Sequence, residues 1–222
     1  MTERRRLVVV GAGGFGPEIA WAARRCNGVH PTFDLAGYCD DDPAKRGGQL
    51  DGLEVLGRPE DVAGGFESPP VFVCAVGNNE RRAALVRRLL ALGWVPVTVI
   101  DPSVHVAEGV VVENGTYVGA GSILSPHSRI GEHVMINHHC SVGHDSRIEA
   151  FANLSPGVRV SGECVVGEGA ALGSNAVIAP GKRVGRYATV GACSFALTNI
   201  PDRVTAVGVP ARVVVRKRHQ PE

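Results

Sequence analysis

The chain lacks several things, and each absence excludes a class of protein. Among its 222 residues no apolar run is long enough to span a bilayer. Its start, "MTERRRLVVVGAGG", is basic and then apolar like the opening of a signal peptide. The apolar part is too short, however, and runs straight into a glycine turn, so a cytoplasmic chain without membrane contact is expected. Net charge is nearly zero, at +1, with no dominant basic stripe, which argues against nucleic acid as a partner. Its six cysteines (Cys26, Cys39, Cys74, Cys140, Cys164 and Cys193) contain no Cys-x-x-Cys pair. Free thiols are expected of them, rather than disulfides or a zinc site.

What is present changes character along the chain. Helix-like stretches such as "PEIAWAARRC" and "NERRAALVRRLLALGW" occur only before Ile100. From Ile100 to Val190, every sixth residue is Val, Leu or Ile, sixteen times in succession. Chance would give such a run with odds on the order of one in a billion. The next residue is often Gly, as at Gly119, Gly143 and Gly173, and the fourth is usually small, as at Ser122, Cys140 and Ala176. This is the hexapeptide repeat of a parallel β-helix: each hexad supplies a strand and a turn, and three hexads close one triangular coil. The aliphatic residue points inward, and the small residue fits the tight interior near a corner. The period is expected to end at Phe195, followed by a tail through Pro201 to "GVPA" at 208–211.

The N-terminal part reads as a nucleotide-binding unit. A strand (Leu7–Val10) runs into the glycine fingerprint "GAGGFG", and a helix is expected over Pro17–Arg25. A second strand, "LAGYCDDDP", ends in Asp40, Asp41 and Asp42, and a third, "PVFVCAVGNNERR", ends near Gly77, Asn78 and Asn79. This βαβαβ pattern amounts to one mononucleotide-binding half. A nicotinamide site normally needs the second half, so no NAD is expected. The glycine turn and helix start are expected to cradle a smaller anionic ligand such as a nucleotide diphosphate.

Together the stretches "GAGGFG", "GYCDDDP", "AVGNNERR", "INHHCSVGHDSRI", "NLSPGVRVSG" and "VGVPARVV" resemble the sugar O- and N-acyltransferases of the sialic acid O-acetyltransferase type. These include enzymes that acetylate the 4-amino group of nucleotide-linked amino sugars. The resemblance covers nearly the whole chain. It implies an α/β Rossmann-like domain followed by a left-handed parallel β-helix. The implied divisions are residues 1–98 for the nucleotide sugar, 99–195 for catalysis and coenzyme A, and 196–222 as a C-terminal tail. It further implies acetyl-CoA as cosubstrate and a homotrimer with active sites between subunits.

The stretch "MINHHCSVGHDSRIEAFANLSPG" is unusually polar for such coils. Acyl transfer from a thioester needs a base beside the nucleophile and a donor for the oxyanion. Histidine, which titrates near neutral pH, suits the first role. The resemblance makes His144 the general base and Asp145 its orienting partner. It sets Asn137, and less firmly His138, near the acceptor, with Gly13, Gly14, Phe15, Asp40, Asp41 and Asn78 on the nucleotide sugar. Gly162 is matched to the backbone N–H that polarises the thioester carbonyl, and Ser174 and Ala192 to contacts with coenzyme A. Lys182, Arg183 and Arg186 read equally as phosphate contacts and as solvated charges. Asn153 stands where many relatives carry a histidine at the thioester end, and it cannot take a proton. Phe15 replaces a histidine common near the nucleotide sugar and is available to stack on a ring. His138 and His139, adjacent in an extended segment, would point in opposite directions, so no metal is expected. The reading is an acetyl-CoA-dependent N-acetyltransferase of an amino sugar. The competing readings are O-acetylation of a sialic acid-like or antibiotic sugar, and a non-catalytic β-helix scaffold.

Overall fold

The computed structural model describes residues 4–214. Residues 215–222 of the expected tail therefore lie outside the described range.

The strand "RRLVVV" forms β1 (Arg5–Val10), whose last four residues are all buried. Such a continuous apolar run suits a central strand covered on both faces. β1 lies between β2 (Phe33–Cys39) and β5 (Val71–Cys74), both parallel to it. With β3 (Gln49–Leu50), β4 (Leu53–Gly57) and β6 (Val95–Pro96) the sheet order is β3-β4-β2-β1-β5-β6. Helix α1 (Phe15–Val29) follows the glycine turn. It starts two residues before the expected Pro17 and runs past Arg25 and through Gly28, ending where the chain turns extended at His30, just before Pro31. A short α2 (Pro59–Val62) follows β4, and α3 (Asn79–Ala91) follows β5. Asn78 caps α3 by accepting a hydrogen bond from the Arg81 N–H at 2.9 Å.

From Val99 onward each hexad contributes one two-residue strand, β7 (Val99–Ile100) through β23 (Phe195–Ala196). The strands stack in parallel into the three faces of a prism. The first face carries residues 99–100, 117–118, 135–136, 153–154, 171–172 and 189–190. The second begins at 105–106 and the third at 111–112. From Val118 to Val190 every inward aliphatic residue is buried and joins one core with the small corner residues Cys140, Ala152, Ala170, Ala176 and Ala188. Each such aliphatic side chain contributes about 1.5–3 kcal/mol on burial. The first coil is less covered: Val106 is 47% exposed.

The period does not end at Phe195. Phe195–Ala196 pairs with Val177–Ile178, and Ala196 sits fully buried in the inward position. Alanine there hid the last repeat from a Val/Leu/Ile count. The chain then adds β24 (Thr205–Gly208) beside the first face and folds back antiparallel as β25 (Ala211–Val214).

The outward residues of the first face explain how the two parts dock. Val99, Tyr117 and Met135 are apolar, buried, and share a core with Leu7, Ile19 and Ala23. Further along that face the outward residues become Asn153, Ala171 and Thr189. The α/β domain thus covers the first face over its early coils, and Arg25 pins α1 to the buried Asp101 at 2.7 Å.

Candidate active site

From Gly109 to Cys193 each corner of the prism turns through a residue with left-handed backbone, which recurs every sixth position. Glycine takes that place at several turns and His, Asn or Asp, which tolerate it best among residues with side chains, at five others, while Phe151, Glu163, Tyr187 and Cys193 adopt it at the remaining ones. Asp145 is one of them, with φ 57°. The bend brings its carboxylate back toward the preceding residue, so His144 Nδ1 and Asp145 Oδ2 lie 2.8 Å apart. In an extended strand these neighbours would diverge. The pair stands on the edge between the second and third faces and is more than half exposed.

The backbone beneath it is fixed by the coils on either side. The Asp145 N–H donates to Pro126 O at 3.1 Å, and His144 O accepts from the Glu163 N–H at 2.8 Å. The imidazole lies over Gly162, where a Cβ would stand only 2.5 Å from Nε2. Among the described residues, the Gly162 N–H makes no hydrogen bond. Imidazole, carboxylate and a free backbone donor therefore share one edge. That set is suited to deprotonating a nucleophile and holding an oxyanion.

The other expected coil residues lie elsewhere. Asn137, His138, Ser174 and Ala192 occupy turns of the edge between the first and second faces. Asn153 points outward from the first face, half-buried. One copy of the chain does not bring these residues to His144. The expectation for His138 and His139 needs correcting. His139 has φ 56°, so the segment turns there, and the two rings sit 5.9 Å apart instead of on opposite sides. Among the described residues no group of three His, Cys, Asp or Glu is arranged to hold a metal ion. All six cysteines are unpaired thiols. Arg186 is tied to Glu168, which also accepts from the Tyr187 hydroxyl at 2.8 Å. Lys182 and Arg183 show no ion pair among the described residues.

A second feature is a cleft of about 390 Å³ at the carboxyl ends of β1, β2 and β5. That is where the strand order reverses and where open α/β sheets bind ligands. Gly11, Asp40, Asp41, Arg81, Leu85 and Arg88 are among its lining. Gly11 needs its φ of 117° and has no room for a Cβ, which would stand 2.8 Å from Ala75 O. Asp40 turns inward: it accepts from the Ala12 N–H at 2.8 Å, the Asp42 N–H at 3.0 Å and Lys45 Nζ at 2.9 Å. Burial alone would raise its pKa, but Lys45 and these N–H groups outweigh that and hold the carboxyl below its ordinary value. Asp40 thereby fastens the glycine loop. Asp41 pairs with Arg88 at 2.7 and 3.0 Å, and that hydrogen-bonded pair lowers its pKa. Arg88 also holds Glu60. Gly13 and Gly14 are exposed at the loop tip. Phe15 packs edge-on against Tyr117, centroids 5.4 Å apart, so it helps seat the domain on the coils.

Sequence reading missed Arg82 and His133. Arg82 is fully buried, and His133 is stacked between Phe72 and Phe151 at 6.1 and 5.2 Å. The available signal was that Arg82 falls in register with Asn79, Val86 and Leu89 on the buried face of α3.

Comparison with known proteins bears on both parts. Residues 6–89 match the PglD N-terminal domain family. Curated protein sequences yield no match. Among solved structures, the acetyltransferase domain of PglB from Neisseria gonorrhoeae, in complex with acetyl coenzyme A, is 29% identical; the match covers 96% of this chain and 100% of that one, with TM-score 0.86. A mutant of perosamine N-acetyltransferase from Caulobacter crescentus, in complex with CoA and GDP-perosamine, is 29% identical over 97% and 99% of the two chains, with TM-score 0.87. WeeI from Acinetobacter baumannii is 26% identical over 94% and 99%, with TM-score 0.86. No helix among the described residues is long and apolar enough to cross a membrane. The chain thus has the left-handed β-helix fold of the hexapeptide-repeat acyltransferases; it is similar to these acetyltransferases over nearly its whole length and to the PglD N-terminal domain family over residues 6–89.

Proposed function

We propose that the protein transfers an acetyl group from acetyl-CoA to the amine of a nucleotide-linked amino sugar. The observation that carries this reading is the His144–Asp145 pair above Gly162, at 2.8 Å. His144 Nε2 takes a proton from the amine as its nitrogen attacks the thioester carbonyl carbon. The carbonyl oxygen becomes an oxyanion, which the free Gly162 N–H is suited to receive. As the C–S bond breaks, the thiolate leaves and accepts the proton from His144. Asp145 orients the ring and balances its charge between the two transfers. The ligands of the similar structures, acetyl coenzyme A and GDP-perosamine, support the two substrates.

The nucleotide is assigned to the cleft beside Gly11 and Arg81. The α/β domain covers the first face, whereas His144 stands on the edge opposite that face, so the body of the prism separates the two. An acceptor held in the cleft is therefore served by His144 of another copy, which supports assembly as a homotrimer with shared sites.

The test is thiol release from acetyl-CoA across UDP-, GDP- and dTDP-linked 4-amino and 3-amino sugars. One amino sugar is expected to react, and His144→Ala is expected to lower its rate by about 10²–10⁴-fold while coenzyme A still binds. Release only with hydroxyl acceptors would replace N-acetylation by O-acetylation.

A further inference from the structure

Arg82 projects from the face of α3 opposite the cleft and is completely buried without a carboxylate partner among the described residues. Its guanidinium is met by backbone carbonyls alone. Nη1 donates to Val76 O at 2.7 Å, Nε to His133 O at 3.2 Å, and Nη2 to Phe151 O at 2.7 Å and Ala152 O at 3.3 Å. Val76 lines the cleft. The other acceptors sit on the edge between the third and first faces, on successive coils. Asn79 adds the next coil up: its Nδ2 donates to Gly169 O at 2.8 Å and Ala170 O at 3.2 Å. Helix α3 is thus fastened to three stacked coils from behind, while Arg81, Ala84, Leu85 and Arg88 on its front wall the cleft.

Simple coverage of a coil would be served by an apolar side chain, because a buried cation without a counter-ion is costly. What the guanidinium adds is direction. Its rigid fork of donors reaches the cleft loop and two coils at once, which no apolar residue does. We propose that Arg82 is a positioning residue, which locks the wall of the acceptor cleft to the coils and so sets where the bound acceptor's amine falls against the acyl donor. This rests on the assignment of the acceptor nucleotide to that cleft. A misplacement of about 1 Å at a distance from the reacting atoms lowers rates by about 10²-fold.

The test uses the full-length protein with Arg82→Lys and Arg82→Met; Asn79→Ala serves as an independent arm if Arg82→Met does not fold. Folded sites are counted by coenzyme A binding. GDP and UDP probe the cleft by calorimetry, amide exchange is followed over 79–91, and kcat is measured with the reactive amino sugar. The expected result is a fall in kcat per coenzyme A site of about tenfold or more. Affinities for coenzyme A and the nucleoside diphosphate stay within about threefold, and exchange quickens in α3 but not in the coils. Arg82→Lys is expected to recover part of the rate. Unchanged kcat per site with unchanged α3 exchange would overturn the proposal, leaving Arg82 a packing residue. Loss of nucleotide affinity in step with kcat would also overturn it, making Arg82 part of the binding site itself. If the wild type acetylates none of the sugars, the assigned activity fails but the lock is still judged: faster α3 exchange in the variants supports it, and unchanged exchange sinks it.

Discussion

At the scale of single residues, Gly162 lies in direct contact with the His144 ring. Gly162 has ordinary backbone angles, so Gly162→Ala introduces no strain of its own, but its new methyl would stand 2.5 Å from His144 Nε2. The exposed imidazole has room to swing away. Stability is expected to change by less than about 1 kcal/mol, as for other surface substitutions. Turnover is expected to fall by about 10²-fold or more, because the base leaves its station. Urea melts and thiol release on the same sample separate the two effects.

His133 is a residue whose titration bears on stability. Burial first, and Arg82 nearby second, hold its pKa down to about 4, against 6.5 for the free side chain. The unfolded chain therefore binds a proton at His133 between these values while the folded chain does not. Stability from this group is present above about pH 6.5 and is lost as pH falls toward 4, by about 3 kcal/mol in all. Subtracting the pH profile of His133→Asn from that of the wild type is expected to show this slope. Parallel profiles across pH 4–7 would contradict it.

At the scale of elements, the coil is one short strand repeated, and its stability is shared between neighbours. Leu172 lies inward at the middle of the first face and is fully buried between Leu154 and Val190. Leu172→Ala is expected to cost about 2–5 kcal/mol, by lost transfer energy and a cavity that stacked backbone is slow to close. Chemical denaturation measures this directly. The hexad period was legible in the sequence because inward residues must be aliphatic and recur in fixed register. The last hexad escaped because Ala196 fills the same place with less volume. The corner geometry escaped too. Left-handed turns at His139 and Asp145 bring adjacent side chains together, which a reading of extended strand excludes.

At the scale of the whole molecule, the arrangement of edges bears on assembly. Because the cleft and His144 lie on opposite sides of the prism, two defective copies are expected to complement each other. Ala84→Trp blocks the cleft, and His144→Ala removes the base. Each alone is expected to be inactive, whereas co-expressed mixed assemblies recover a measurable part of the activity. Mixed assemblies with none would return both halves of the site to a single chain.

By itself the sequence determined the two-part fold. Periodicity of six and the strand–glycine–helix pattern are local signals, carried by residues whose environment repeats or whose backbone is constrained. It also drew attention to the stretch that holds His144 and Asp145, because isolated polar residues in aliphatic coils stand out, while Gly162 was picked out by the family resemblance alone. Only the tertiary structure decided the rest. Asp40 holds the glycine loop, Asp41 pairs with Arg88, and Phe15 packs against Tyr117. The coil residues expected at one site fall on different edges, since a residue's edge follows from its phase within a coil of three hexads. The lock at Arg82 was hidden for the same kind of reason. Its partners are carbonyls 51 to 70 residues away in the coils, and a carbonyl carries no mark of its role in the sequence.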